Sequence, residues 1–408
     1  MKVFCDLHIH SSFAGGTSRQ IDIDKLTRSA KKKGLTIIGS GDILFPIWRR
    51  KLLESCEKID DGTLFKNDVY IVPQVEVEDK DRVHHVILFN SFSDVESFYE
   101  MIRPRSKNID REGRPKVFLS GDEIVELARD VDACIGPAHA FTPWTSLYKS
   151  FDSLSECYKD QVKNIDFIEL GLSADTYFAD RIKELHDYVF LSNSDAHSHY
   201  LNRIGREGNL IELEEPTAES LIKAIKAKKV LLNYGLDPRE GKYHRSACIG
   251  CGTKFKLEDA KSLGWRCPLC GKVIKKGVHD RIEELADYDE PRSPKFRPRY
   301  FRLIPLIEII QLIKGYSSPY TKSVMTEYES YISKYGSELD ILLFKDMAEL
   351  HDIDPRILDV IKALREGKID YIEGGGGVYG KPKIGKFSEL DDNKWYVKKT
   401  SKNLFDFI

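Results

Sequence analysis

No window of the 408 residues reaches the roughly 18 consecutive apolar residues of a membrane-spanning helix. Met1–Asp6 leads into a strand-like segment and then polar residues, where a signal peptide would carry an apolar run. The chain is therefore expected to be cytoplasmic and to make no membrane contact. It also lacks an excess of charge of one sign, with 63 Lys and Arg against 65 Asp and Glu. That balance removes overall basicity as an argument for nucleic acid but leaves room for a local basic face. There is no internal repeat. What is present in quantity is cysteine, eight in all. In a reducing compartment this favours metal ligands or buried thiols over disulfides. The length allows two or three domains.

Residues 1–236 alternate short apolar strands with amphipathic helices. Strands are expected at Val3–His10, Leu35–Ser40, Val69–Val77, Val83–Phe89, Ala133–Pro137, Phe167–Leu172, Tyr188–Ser192 and Leu210–Glu212. Helices are expected at Ile23–Lys33, ending at Gly34, and near Asp122–Asp130. Such alternation predicts an α/β fold with a largely parallel sheet or barrel. Residues 237–290 begin with a polar linker and hold four of the cysteines. Residues 291–400 follow as a mainly helical region with a run of four glycines at Gly374–Gly377. Residues 401–408 are a short aromatic tail.

In the opening D-L-H-I-H, His8 and His10 are two apart, so on a strand they share a face. S-D-A-H places Asp195 and His197 in the same relation. Between the pairs lie Asp42, Glu76, His85 and His139, most of them where a strand gives way to a loop. In a barrel those ends converge, and imidazole mixed with carboxylate suits borderline divalent metals. Asp195, His10 and Glu76 are the expected catalytic members. Cations held a few ångströms apart activate water at neutral pH and offset the charge of a phosphate.

These motifs resemble the polymerase-and-histidinol-phosphatase (PHP) superfamily: D-L-H-I-H, Glu76, His85 or the adjacent His84, P-A-H ending at His139, and S-D-A-H. The resemblance implies a distorted (β/α)7 barrel with two or three metals, zinc, manganese or magnesium, and phosphoester hydrolysis. One departure stands out. The superfamily's second motif is commonly T-D-H, whereas G-D-I here puts Ile43 where the histidine would be and leaves Asp42 as the ligand expected there.

Cys248, Cys251, Cys267 and Cys270 form C-x2-C, 15 residues, C-x2-C, the spacing of a structural zinc site. Gly252 and Gly271 follow two of these cysteines, as tight thiolate turns require. A closed four-thiolate site folds the chain and does not catalyse. Cys5, Cys56, Cys134 and Cys157 fall in or beside apolar segments and read as core.

Several residues are candidates for contact with DNA. Arg297 and Arg299 lie in K-F-R-P-R-Y-F-R, which interleaves cations with aromatics, either to hold phosphates and stack on bases or as a linker docking its aromatics on an interface. Gly375, Tyr379 and Lys381 lie in the glycine-rich run, a backbone that either approaches phosphates closely or forms a simple hairpin. Phe141 and Trp144, just after His139, either stack on a base or sugar or pack as a lid. Arg203 and Arg206, after His197, are placed to grip phosphate. Leu404, Phe407 and Ile408 have the spacing of an apolar plug on one helical turn, similar to a sliding-clamp-binding peptide, although Ser401 stands at the usual Gln position.

In order and extent, these parts resemble the archaeal endonuclease Q family over nearly the whole chain. The resemblance implies a nucleoid-associated DNA-repair endonuclease acting on double-stranded DNA. It would cut 5′ to deaminated bases (hypoxanthine, uracil, xanthine) and abasic sites, with the lesion flipped out of the stack. The alternatives are a small-molecule phosphatase of the histidinol-phosphatase type and a non-catalytic DNA- or clamp-binding module.

Overall fold

The computed structural model describes residues 1–390 and 394–396. Its principal sheet has eight strands. Lys2–Asp6 lies near the centre, antiparallel to Gly208–Glu212 and parallel to Ile37–Gly39. Ile37–Gly39 is in turn parallel to Val69–Val72. The hairpin of Glu57–Lys58 and Leu64–Lys66 finishes one edge. On the other side Val230–Gly235 pairs with Gly208–Glu212, and Arg299–Arg302 adds in parallel. Gln74–Glu78, His84–Leu88 and Cys134–Pro137 make a three-stranded antiparallel sheet. Phe167–Glu169 and Val189–Leu191 pair in parallel.

The expected mixed α/β fold is present, but the ladders do not close on themselves. Single contacts link the pieces. Asp166 N donates to Ile135 O at 2.9 Å and Ala140 N to Glu169 O at 2.8 Å. Ile9 bridges Ala196 in parallel. Elsewhere buried side-chain amides take the place of strand partners, because a buried backbone N–H must be paired. Asn193 Oδ1 accepts from Leu7 N at 3.0 Å, Asn209 Oδ1 from Ser192 N at 2.9 Å and Gln74 Oε1 from Gly41 N at 3.0 Å. The strands are short for the same reason: polar side chains interrupt the run where the histidines and carboxylates begin.

Helix Ile23–Lys33 has the expected bounds. Asp22 caps it by accepting from Lys25 N, and Gly34 ends it at φ 95°, a left-handed conformation that glycine adopts without strain. The C-terminal helices Leu306–Lys314, Lys322–Tyr335 and Pro355–Arg365 share one apolar core with the first part of the chain. Leu306, Ile310, Tyr328 and Ile361 belong to the same cluster as Leu26, Trp48, Ile135 and Phe190. A buried ion pair crosses that boundary, Lys33 Nζ to Glu338 Oε1 at 2.5 Å.

The segment around Arg297 is not the exposed DNA-contacting arm expected from its composition. Arg299–Arg302 is a sheet strand, and the Arg297 side chain is wholly buried against Asp180 at 2.9 Å. Its remaining donors go to Tyr188 O at 2.6 Å and Leu185 O at 3.2 Å, and its guanidinium carbon lies 3.3 Å from the centre of the Phe190 ring. Burial draws its pKa down to about 10, against the pull of Asp180. A guanidinium with its donors committed inside cannot also hold DNA phosphate. Arg297→Met should leave the buried Asp180 carboxylate with the Ser293 hydroxyl and no cation, which costs about 3–5 kcal/mol. Denaturant titration of the variant should show a loss of that size; a loss below ~1 kcal/mol would contradict the burial argument.

The glycine run is the turn of a hairpin, with Tyr371–Ile372 antiparallel to Lys381–Pro382. Its first glycine packs against the linker with no room for a side chain: a Cβ on Gly374 would stand 2.3 Å from Gly241 O. Gly374 N, Gly375 N, Gly377 N and Gly380 N donate to Arg239, Val378, Lys242 and Glu240 carbonyls. The hairpin alternative therefore holds for Gly375, whose amide is spent within the protein. Tyr379 and Lys381 remain exposed.

Candidate metal centres

His8 and His10 follow the strand Lys2–Asp6 and turn their imidazoles to the same side, with ring centres 5.3 Å apart. Each is oriented from behind by a carboxylate. His8 Nδ1 lies 3.0 Å from both oxygens of Glu169. His10 Nδ1 lies 3.0 Å from Asp42 Oδ1. This leaves both Nε2 atoms pointing into a common space, and there His8 Nε2, His10 Nε2 and Asp195 Oδ1 are buried without hydrogen-bond partners. Buried polar atoms left unpaired are costly. Three converging on one space fit a cation, which would satisfy all of them.

Three overlapping sets of ligand atoms, each within 4.8 Å of one another, occur here among the described residues: His8, His10 and Glu76; His10, Asp195 and His197; Glu76, His84 and His139. Sharing of His10 and Glu76 between sets is what a multinuclear centre requires. Glu76 Oε1 is 2.9 Å from His139 Nε2 and 2.6 Å from His84 Nδ1, while Oε2 accepts from Arg114 at 3.0 Å. Asp195 Oδ1 stands 3.2 Å from His10 Nε2 and 3.4 Å from His197 Nδ1.

The electrostatics agree with a cation site. Burial opposes charge on His8, but Glu169 and Glu76 outweigh it and hold the imidazole up at about 9. Burial would raise Asp195, yet His197, His10 and His8 hold it well below the usual carboxylate range. Glu76 is likewise held low against burial, first by His84 and then His8. The carboxylates are therefore anionic and surrounded by groups that a divalent ion would displace protons from.

Two expected ligands are placed elsewhere. His85 Nε2 pairs with Asp79 at 3.1 Å and its Nδ1 accepts from Tyr158 OH at 3.0 Å. The reason is strand periodicity: Glu78 is directly opposite His84, so His84 shares the face of Glu76 and its neighbour His85 faces away. Asp42 has no oxygen free for a metal, because Oδ1 faces His10 and Oδ2 accepts from Ser11 N at 2.7 Å and Ser11 Oγ at 2.5 Å. It orients a ligand, as Glu169 does. Glu169 was not anticipated; its one signal is a carboxylate ending an otherwise apolar strand. Arg114, whose guanidinium reaches the same cluster, gave none. Outer carboxylates that fix a ligating imidazole typically contribute 10–100-fold to metal affinity. Glu169→Gln should weaken metal binding by that order in calorimetric titration, whereas His85→Gln should leave it within about threefold. Equal effects would refute the facing assigned to these two histidines.

The residues expected to touch DNA divide sharply. Phe141 is buried and stacked on Tyr148, ring centres 5.0 Å apart. Trp144 is 51% exposed, with Lys275 Nζ 3.9 Å from its ring centre. Arg206 is buried and donates twice to Ser194 O, at 3.2 and 3.0 Å, so it steadies the backbone next to Asp195, and it also lines the cleft of Arg203. Arg203 and Tyr379 line a cleft of about 300 Å³ with Leu172, Glu240 and Glu308. Arg299 is exposed beside Phe301. Leu404, Phe407 and Ile408 lie outside the described residues.

The four cysteines of the second module converge as their spacing predicts. Cys248 Sγ and Cys270 Sγ are 3.3 Å apart, Cys251 Sγ and Cys267 Sγ 3.7 Å. Two matching turns build the site: Gly252 N donates to Cys248 O at 3.0 Å and Gly271 N to Cys267 O at 2.8 Å. Hydrogen bonds from Thr253 bring the Cys251 thiol down to about 6, favouring the thiolate a metal needs. Four sulfurs with thiolate-stabilising donors fit tetrahedral zinc.

Residues 305–368 match a family described as the MJ0043 C-terminal domain. The uncharacterized protein MJ0043 of Methanocaldococcus jannaschii is 53% identical over 248 residues, which are 60% of this chain and 31% of that protein. Among solved structures, the lesion-specific endonuclease PfuEndoQ of Pyrococcus furiosus superposes with a TM-score of 0.90 at 46% identity, covering 96% of this chain and 98% of that one. A complex of endonuclease Q with a 27-mer duplex bearing an abasic lesion at the active site gives the same TM-score and identity, covering 95% and 97%.

Proposed function

The chain belongs to the endonuclease Q family, and from that membership we propose that it is a metal-dependent DNA-repair endonuclease. It would cut the phosphodiester 5′ to deaminated bases (hypoxanthine, uracil, xanthine) and 5′ to abasic sites in duplex DNA. The observation that carries the reading is the set of unpaired buried atoms, His8 Nε2, His10 Nε2 and Asp195 Oδ1, at the junction of three ligand sets. The abasic duplex bound at the active site of a relative of the same fold supports the substrate class. A distorted seven-stranded barrel belongs to this proposal too, with the link from Ile9 to Ala196 as its closing seam.

His8, His10, Glu76, His84, His139, Asp195 and His197 would hold the ions. Zinc suits this donor set, and manganese or magnesium is an alternative. Divalent cations bound there would supply Lewis acidity toward the phosphate and a nucleophilic water at neutral pH. The protein's own part is positional. Glu169 and Asp42 fix the two imidazoles, Arg206 fixes the carbonyl before Asp195, and Arg114 adds positive charge beside Glu76 where the phosphate must lie. Docking to a sliding clamp through Leu404, Phe407 and Ile408 is carried by their spacing alone.

The test is direct. End-labelled duplexes with one inosine, uracil or abasic site are incubated with the purified protein and manganese or magnesium. Cutting on the 5′ side of each lesion, with undamaged duplex intact, is expected. Uncut lesions alongside rapid hydrolysis of histidinol phosphate would replace this reading with the small-molecule phosphatase.

A further inference from the structure

A second cleft, of about 300 Å³, opens where the loop after His139 meets the zinc module. Its walls include Phe141, Tyr148, Lys149, Lys275 and Arg281. The stacked Phe141 and Tyr148 rings are apolar and fixed; Tyr148 OH donates to Glu184 at 2.7 Å. Thr142, also in the lining, contacts the metal-site residue His139 through Oγ1 and Nδ1 at 3.2 Å. The cleft therefore adjoins the metal cluster.

The cations around it are not equivalent. Arg281 is tied to Asp152, and Lys276 to Glu284 at 2.6 Å. Lys149 and Lys275 have no carboxylate partner among the described ion pairs. They come from different parts of the chain, one from the short helix Leu147–Ser150 and one from the ribbon strand Ile274–Lys275. Burial and then the charge of Lys149 lower the Lys275 pKa, so the two ammonium groups repel. Lys275 also lies over the exposed Trp144 ring, a cation–π contact that orients its ammonium group. Like charges brought together from separate elements, beside apolar rings and with the one carboxylate of the lining, Asp152, taken by Arg281, form a site for an anion on an organic body.

We propose that this cleft binds a backbone phosphate of the DNA substrate, with Lys149 and Lys275 as its two cationic jaws. This rests on the endonuclease reading above. It gives the zinc module a place in substrate binding, since one jaw belongs to it. It also gives Phe141 and Trp144 a shared role beside a nucleotide, as wall and rim.

The test uses the full chain with its metals. Binding of a fluorescein-labelled abasic duplex is followed by anisotropy across a salt series, and cleavage kinetics are measured on the same samples. Variants are Lys149→Ala, Lys275→Ala, the double variant, Lys275→Arg and, as a charge-matched comparator, Lys223→Ala. Each cleft substitution should weaken binding and reduce the slope of log K against log salt by about 1, with kcat/KM falling in step. Lys275→Arg should restore the slope. A double variant with the slope of the wild type, or a Lys223→Ala effect equal to that of Lys149→Ala, would overturn the proposal. Should Lys275→Ala lose zinc, Lys149→Ala decides, because Lys149 lies outside the module. Failure of the endonuclease reading looks different: the wild type would bind DNA with a salt slope and leave it uncut.

Discussion

Asp195→Asn is expected to lower the single-turnover rate of lesion cleavage by about a thousandfold or more, close to 4 kcal/mol of barrier, while duplex affinity stays within about threefold. The size follows from what one oxygen does. Asp195 Oδ1 faces His10, His197 and His8 at 3.2, 3.4 and 3.7 Å, and it is one of the three buried atoms there that make no hydrogen bond. Replacing it with a neutral amide removes an anionic ligand where cations must be held together. The substitution is also clean. Asp195 sits at φ 47°, a left-handed conformation that Asn tolerates as well as Asp. The loop is fixed by other groups: Ser194 N donates to Asp6 Oδ1 at 3.0 Å, and Arg206 grips Ser194 O. Fold and DNA contacts should persist, so that rate and binding separate. Quenched-flow cleavage with saturating manganese checks the rate and anisotropy checks the binding. A variant cutting within threefold of the wild type would remove Asp195 from the centre.

Cys267→Ser should cost the chain its structural zinc and the cooperative fold of the module, the largest stability effect expected of a single side chain here. The buried apolar cluster of the module is Cys248, Phe255, Ala260, Cys267 and Ile274, and two of those five are themselves thiol ligands. So small a core cannot offset the conformational entropy of ordering the loops. The metal has to supply the difference, and structural zinc in modules of this size contributes roughly 10–16 kcal/mol. Loss of the ribbon should also release Lys275 from Trp144 and weaken DNA binding, without emptying the His8–His10 cluster. Metal analysis should show one zinc fewer per chain, and proteolysis should begin within residues 247–276. If the variant retains its zinc and a protected module, the four-thiolate site is not what holds this region.

Some of this was legible in the chain before any coordinates. The end of helix Ile23–Lys33 was marked by Gly34, because capping acts within one turn. The convergence of the four cysteines followed from their spacing, because each C-x2-C closes its own turn. The shared face of His8 and His10 followed from the period of a strand. Each of these is set by covalent neighbours.

The rest depended on partners far along the chain. That Asp42 orients while Glu169 matches it from behind His8 is settled by a contact spanning 161 positions. His84 rather than His85 enters the cluster because pairing with Gln74–Glu78 sets the register, and nothing local to H-H can choose. Arg297 reads as a surface cation until Asp180, 117 positions away, buries it. The sequence alone determined which donors are present, a histidine–carboxylate set and a four-cysteine set, each of a kind that could hold a metal, because residue type and short spacing encode donors. Only the tertiary structure decided which donors face the ions, which merely hold them, and where Lys149 meets Lys275, because those roles are assigned by packing between segments that no local pattern connects.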